Sequence, residues 1–369
     1  MSMKRLVLSL FFLSSLSAPA TVRAQGEQSI WYFGGQAGLK FSGTAAPTPL
    51  LDGKMSTYEG SSVATNQQGQ LLFYTDGEVV YNRKHQPMLN GKGLMGSKSS
   101  AQSALIVPDP GSGNVFYIFT TAPQGSKNGM RYSVVDMTRE DGFGDVPRAN
   151  MLLISPVAEK LAAVKHKNGR DIWVVGHRWN SNAFVSYLVT PEGVETKPIL
   201  SNVGSMNAGP GRNAIGCMKF SPDGSKLASA IWRESNKFEV FDFDNTTGKV
   251  SNPRQFGTYE EAYGVEFSPD GSKLYGTCNG KGGGQAEVWQ FDLKTKSKDN
   301  AVKVGTSANR KIGSLQLAPD GKIYVAREDN PFLGVIQDPN AAGKACNYVD
   351  DGLKLGGRRS KLGLPNFVR

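Results

Sequence analysis

Phe220-Ser-Pro-Asp-Gly-Ser-Lys-Leu227, Phe267-Ser-Pro-Asp-Gly-Ser-Lys-Leu274 and Leu317-Ala-Pro-Asp-Gly-Lys-Ile323 are near copies of one another. Pro presets φ and Gly accepts a positive φ, so Pro-Asp-Gly between two apolar runs predicts a tight hairpin turn. The turn glycines Gly224, Gly271 and Gly321 stand 47 and 50 residues apart. A period of that length marks a solenoid or a propeller.

Working outward, weaker copies precede these three. Asn66-Gln-Gln-Gly69, Pro108-Asp-Pro-Gly111 and His166-Lys-Asn-Gly169 each lead into a run rich in β-branched and aromatic residues. The reading is six turns of one type. A third strand follows in each unit, over 78–82, 131–137, 183–190, 238–244, 286–293 and 332–338, and short fourth strands such as 301–304 complete the units. Several of these alternate apolar with polar residues, as half-buried strands do. The weakly helical stretch 155–164 is in phase with the inner strands and is read as loop and strand. Four strands per unit of about 50 residues describe a propeller blade.

Two leftovers, Ile30-Trp-Tyr-Phe33 with Leu39-Lys-Phe41 at the start and the segment after Cys346 at the end, predict a seventh blade closed by the paired chain ends. The expected fold is all-β, a propeller of about seven four-stranded antiparallel blades. Closure removes sheet edges that would otherwise template aggregation.

The N-terminus is read differently. Lys4 and Arg5 precede the mostly apolar run Leu6–Leu16, and Val22-Arg23-Ala24 ends on a small residue. This predicts a secretory signal over 1–24 and one propeller domain over 25–369. No later segment is long and apolar enough to cross a membrane. The formal charge is +10, or about +7 once the signal is removed. A basic balance suits nucleic acid, acidic glycans or anionic lipid, and export argues against nucleic acid. Three cysteines, Cys217, Cys278 and Cys346, exclude a disulfide framework by count.

At one phase of the repeat, residues should ring the propeller axis on a single face. Counting ten back from the turn glycines gives Glu59, Glu159, Glu261 and Lys311 in the loops leading into inner strands, with Lys160, Asn213 and Tyr263 beside them and Gln102 at a similar place. The loops leaving the second strands supply His177-Arg178-Trp179-Asn180, Trp232-Arg233-Glu234, Asn279-Gly280-Lys281 and Arg327-Glu328-Asp329-Asn330. Arg forks beside aromatic plates and carboxylates suit an acidic ligand, a sugar or a protein partner. The competing reading pairs Arg with Glu inside the loops and packs Trp between blades.

No catalytic or metal constellation rises above background: Glu59, Glu159 and Glu261 could pair for hydrolysis or ligate calcium, but a same-phase ring produces such a set by repetition alone. There are three histidines, His85, His166 and His177, and only His177 falls on the candidate face. No zinc spacing and no Gly-x-Ser-x-Gly elbow occur. Asp242-Phe-Asp-Asn-Thr-Thr-Gly248 lacks the distal Glu of a calcium loop and is read as a hairpin turn. Gly282-Gly-Gly284 leads into no helix, which excludes a phosphate cradle. No metal and no cofactor is expected.

The chain also resembles the propeller modules of Bacteroidetes surface proteins, with WD-type and TolB-type repeats. The resemblance is carried by Trp31-Tyr-Phe-Gly34, Ala37-Gly-Leu39, Leu71-Leu-Phe-Tyr-Thr-Asp-Gly77, Gln102-Ser-Ala-Leu-Ile-Val-Pro108, Glu159-Lys-Leu161, Asn213-Ala-Ile-Gly216, Tyr263-Gly-Val-Glu-Phe-Ser-Pro-Asp-Gly271 and Gly363-Leu-Pro-Asn-Phe367. It implies a binding module of the cell envelope or surface. Many of those proteins continue into a sorting domain for type IX secretion, where this sequence ends on Phe367-Val-Arg369. The expectation is therefore the periplasm or an outer-membrane-associated position, with the cell surface as a further location. Three functions follow: a non-enzymatic propeller binding an envelope protein or glycan; a hydrolase or lyase acting on an anionic glycan or lactone through Glu59, Glu261, His177 and Tyr263; or a structural subunit of an envelope secretion or motility assembly.

Overall fold

The computed structural model describes residues 26, 28–233, 235–280, 284–295 and 301–369. The N-terminal stretch read as an export signal lies outside them. Among the described residues the strands form a seven-bladed β-propeller. The fifth blade shows the pattern: Ala262–Phe267, Lys273–Asn279, Ala286–Asp292 and Ala301–Ser307 pair antiparallel in chain order, from the axis outward. The inner strands of the first, second, third, fourth and sixth blades are Ser61–Thr65, Ala104–Asp109, Val157–Lys165, Met218–Phe220 and Ile312–Leu317. The third blade has a fifth strand, because Gly193–Val194 and Ile199–Asn207 both pair with Ser181–Thr190. The first and second blades touch at their rims through a parallel bridge between Leu89 and Asp145.

Turn chemistry explains the hairpins. In five inner turns the glycine takes a left-handed φ of 68–81° and its N–H donates to the carbonyl three residues earlier, as Gly271 does to Ser268 at 2.9 Å. In the three Pro-Asp-Gly turns the Asp caps the hairpin, as Asp270 Oδ1 does by accepting from the Ser272 N–H at 3.0 Å. The turn of the second blade differs. Pro110 stands at the third turn position, which proline disfavours because it pushes the preceding residue out of the α region. Gly111 N–H donates instead to Asp109 Oδ1 at 2.7 Å, and Asp109 pairs with Ser112. The six inner turns are thus five of one type and one of another.

The seventh blade closes the ring. It holds Ile30–Phe33, Ala37–Lys40 and Thr48–Leu50. Its inner position is taken by the last residues of the chain, which enter along Gly35, bridged to Arg359. They then run parallel to the first blade, Pro365 and Asn366 against Ser61 and Ser62. This final segment bonds to the inner strands of five blades. Ser314 donates to Leu362 O, Lys219 Nζ to Asn366 Oδ1, Asn366 Nδ2 to Leu161 O, and Arg369 pairs with Glu266. A segment that reaches five blades at once must lie on the axis, so the channel is filled by chain. Glycines permit the approach: a Cβ on Gly313 would fall 1.9 Å from Leu362 O, and one on Gly363 would fall 1.8 Å from Glu59 O.

Between blades the core is apolar and aromatic. Trp31 packs on Phe41, Tyr324 and Phe367, joining the sixth and seventh blades to the final segment. Cys217, Cys278 and Cys346 are all buried and unpaired. No helix of the described residues is long and apolar enough to cross a membrane.

Candidate functional site

Burial, not repeat phase, splits the predicted ring into two populations. Glu59, Glu159, Lys160 and Tyr263 are buried, whereas Glu261 and Lys311, at the same phase as Glu59 and Glu159, are partly exposed.

The buried population is large. Glu59 and Tyr263 are 4% and 0% exposed, and the Tyr263 hydroxyl donates to Glu59 Oε1 at 2.9 Å. Burial, then the charge of Glu159, push the Glu59 carboxyl well above its usual range; the Tyr263 hydrogen bond and Lys311 act against this. Glu159 accepts from the Ala101 and Gln124 N–H groups, both at 2.8 Å, yet burial raises its pKa to about 7. Lys160 donates to Ala214 O and Ile215 O, and burial lowers its pKa to about 8. Gln102 bridges three blades, accepting from the Leu161 and Met218 N–H groups and donating to Met218 O. Asn213 donates to Ala208 O. These residues organise the interior.

His177 belongs with them. Its Nδ1 donates to Arg178 O at 2.9 Å and its Nε2 lies 3.3 Å from the Asn207 amide, a pattern that suits the neutral ring. Burial, then the charge of Lys160, lower its pKa to about 3. The two candidate Trp plates are packed away: Trp179 lies against Ala158 and Ala214, and Trp232 meets Tyr263 edge-on at 5.6 Å. Arg327 is 1% exposed and pairs with Asp350 and Asp351 of its own blade's outer strand. Both Trp residues pack between blades, as the competing reading has it, whereas Arg327 is paired with aspartates of the outer strand and not with a loop Glu. Arg178 stays exposed at the third blade.

The remaining candidates meet. Arg233, Glu261 and Lys311 line a cavity of about 300 Å³ on the loop face, together with Arg212, Asn279, Gly280 and Arg310. Glu261 and Lys311 stand just before the inner strands of the fifth and sixth blades, and Arg233 and Asn279 at the ends of second strands. Arg212 comes from the short 3-10 turn Gly211–Ala214 between the third and fourth blades. Four cations thus face one carboxylate. Lys311 lies 3.7 Å from Glu328. Among the described residues Arg212, Arg233 and Arg310 have no ion pair.

The cavity is held by backbone that sequence alone would not choose. Arg233 and Glu261 both adopt left-handed φ, 58° and 53°, at a cost of about 1–2 kcal/mol each. Glu261 is fixed there because its N–H donates to Asn236 Oδ1 at 2.9 Å. Burial raises the Glu261 pKa, while Arg233, Lys311 and Arg212 pull it back. At the floor, Asn279 Oδ1 accepts from the Ile312 N–H at 2.8 Å. Its Nδ2 is buried with no partner among the described residues, which costs about 1–3 kcal/mol.

Sequence reasoning missed Arg212, Arg310 and the role of Asn279. Arg310 and Asn279 sit in loops it had placed on this face. Arg212 lies in a connection with no counterpart in other blades, so the repeat carries no signal for it. Among the described residues no group of three His, Cys, Asp or Glu is placed to hold a metal. Asp244 Oδ1 accepts from Thr246 N–H in the outer hairpin once weighed as a calcium loop. Arg358 donates to Gln36 Oε1, and Lys361 pairs with Asp329.

No family model matches the sequence. No curated protein matches it either. Among solved structures the chain is similar to a candidate 6-phosphogluconolactonase from Bacteroides uniformis, with 13% identity, 89% of this chain and 98% of that chain covered, and a TM-score of 0.53. A second candidate 6-phosphogluconolactonase, from Bacteroides fragilis, is 14% identical, with 94% and 99% covered and a TM-score of 0.55. At these identities the likeness is one of fold, and the fold is the β-propeller.

Proposed function

We propose that this chain is a non-enzymatic binding propeller of the cell envelope that holds an anionic group of a partner protein or glycan in the loop-face cavity. The observation that carries this reading is the meeting of Arg212, Arg233, Arg310 and Lys311 around one concavity, three of them without an ion pair among the described residues. Guanidinium groups left unpaired at a concave site bind carboxylate or phosphate oxygens bidentately. Strained φ at Arg233 and Glu261 adds support, because such strain clusters at ligand sites. The envelope location is supported by the N-terminal signal pattern and by the resemblance to envelope propellers.

Binding is favoured over hydrolysis or lysis by what surrounds the four residues an enzyme would need. Glu59 and Tyr263 bond to each other in the interior, and His177 is engaged by Arg178 O and Asn207. Of the four, only Glu261 lines the cavity.

The test is affinity capture from envelope extracts of the host with the wild type and the Arg212→Glu/Arg233→Glu variant. Both side chains are exposed, so the variant should fold. The expected result is a partner captured at low salt by the wild type and lost by the variant. Equal capture by both would overturn the proposal.

A further inference from the structure

We infer that the anion is presented on a polyhydroxylated body, a uronate-type unit of an acidic glycan. The inference rests on the binding reading above and names the ligand class for the same cavity.

The lining decides the body of the ligand as well as its charge. Apart from Gly280, every residue around the cavity is charged or an amide: Arg212, Arg233, Glu261, Asn279, Arg310 and Lys311. A ligand with an apolar body would cover these groups without bonding to them, which is unfavourable, and an aromatic body would stack on the arginines but leave Asn279 and Glu261 without partners. The body must therefore be polar. Its size is bounded too, since about 300 Å³ is at the low end of small-molecule sites and suits one sugar-sized unit.

Two groups in the cavity ask for opposite things from that body. Asn279 is 2% exposed and its Nδ2 has no partner among the described residues, so it needs an acceptor. Its other atom cannot turn to help, because Oδ1 holds the Ile312 N–H. The Glu261 carboxylate is an acceptor that no hydrogen bond or ion pair holds among the described residues, so it can take a donor. A sugar hydroxyl is both donor and acceptor, so a ring bearing several of them meets both groups at once. The arginines then take the carboxylate. Inorganic phosphate or sulfate would satisfy the arginines and Asn279 but would set its charge against Glu261 with little to donate. An acidic peptide offers amide donors, but not the several hydroxyls that Glu261 and Asn279 can share.

Titration calorimetry of the purified chain tests this with four probes: trigalacturonate, its methyl ester, neutral galactotriose and inorganic phosphate. The expected order is trigalacturonate first. The ester and the neutral sugar should be weaker by about tenfold or more, since each gives up the charge-assisted hydrogen bonds to the arginines. Glu261→Ala should weaken trigalacturonate and strengthen phosphate. Asn279→Asp keeps the acceptor for Ile312, removes the donor, and should weaken trigalacturonate by a similar factor. Equal binding of ester and acid, tighter binding of phosphate, or a Glu261→Ala variant that binds trigalacturonate better would each overturn the inference. So would silence of all four probes while Arg212→Glu/Arg233→Glu still loses its partner. That result overturns the ligand class, points to an acidic peptide, and leaves the binding site standing. Retained capture by the arginine variant overturns both.

Discussion

Arg369 Nη2 lies 2.6 Å from Glu266 Oε2, and both side chains are almost wholly buried. Glu266 belongs to the inner strand of the fifth blade, and Arg369 to the segment that fills the inner position of the seventh. Glu266 also accepts the Phe267 and Leu317 N–H groups. One ion pair therefore ties the last residue of the sequence to the fifth and sixth blades. Glu266→Ala leaves a buried guanidinium uncompensated and should cost about 3–5 kcal/mol, measured by equilibrium denaturation. A loss under about 1 kcal/mol would mean that the final segment is not seated as described.

The glycines along the axis give a second test. Gly313→Ala and Gly363→Ala would each place a Cβ under 2 Å from a backbone carbonyl oxygen, and backbone cannot yield as a side chain can. Each should destabilise by about 1–3 kcal/mol or more. Gly113→Ala meets nothing within 4 Å and should change stability by less than about 0.5 kcal/mol. Similar losses at all three sites would contradict the packed channel.

His177 should make the fold acid-sensitive. Its folded pKa of about 3 lies below the ordinary value of 6.5, so the unfolded chain takes up the proton first. The stability held by the neutral ring is complete above the ordinary range and is lost as pH falls from about 6.5 toward 3. At pH 5 the loss is about 2 kcal/mol. His177→Gln should flatten the stability profile between pH 7 and pH 5. An unchanged slope in that variant would assign the acid sensitivity elsewhere.

Arg327 and Arg233 should behave as opposites. Arg327→Ala removes a buried guanidinium from Asp350, Asp351 and the Asp350 carbonyl and should cost about 1–3 kcal/mol, with partner capture intact in the folded fraction. Arg233→Ala should barely change stability and should weaken capture. The reverse pattern would place the binding surface at the sixth blade instead.

The contrast shows what the sequence could and could not reveal. The repeat of Pro-Asp-Gly placed the inner turns, the strand order and the loops that share a face, because each rests on local chemistry repeated in register. Ser155–Val164 is an inner strand from Val157, despite its helical look, because its phase to Gly169 outweighs its propensity. Burial was less legible. Counting residues locates Glu59, Glu159 and Tyr263 on the axis but not the segment that covers them, since contacts of Leu362, Asn366 and Arg369 span hundreds of residues. The same limit hid the cavity, which needs Arg212 from one connection, Arg233 from another and Arg310 from a third.

Hydrogen exchange of the chain with and without its captured envelope partner tests the central claim most directly. The account predicts that the partner slows exchange at residues 208–216, 258–263 and 308–313, the loops that carry Arg212, Glu261, Arg310 and Lys311, with little change on the outer strands. Slowed exchange confined to the outer strands or to the inner hairpin turns of the opposite face would contradict it.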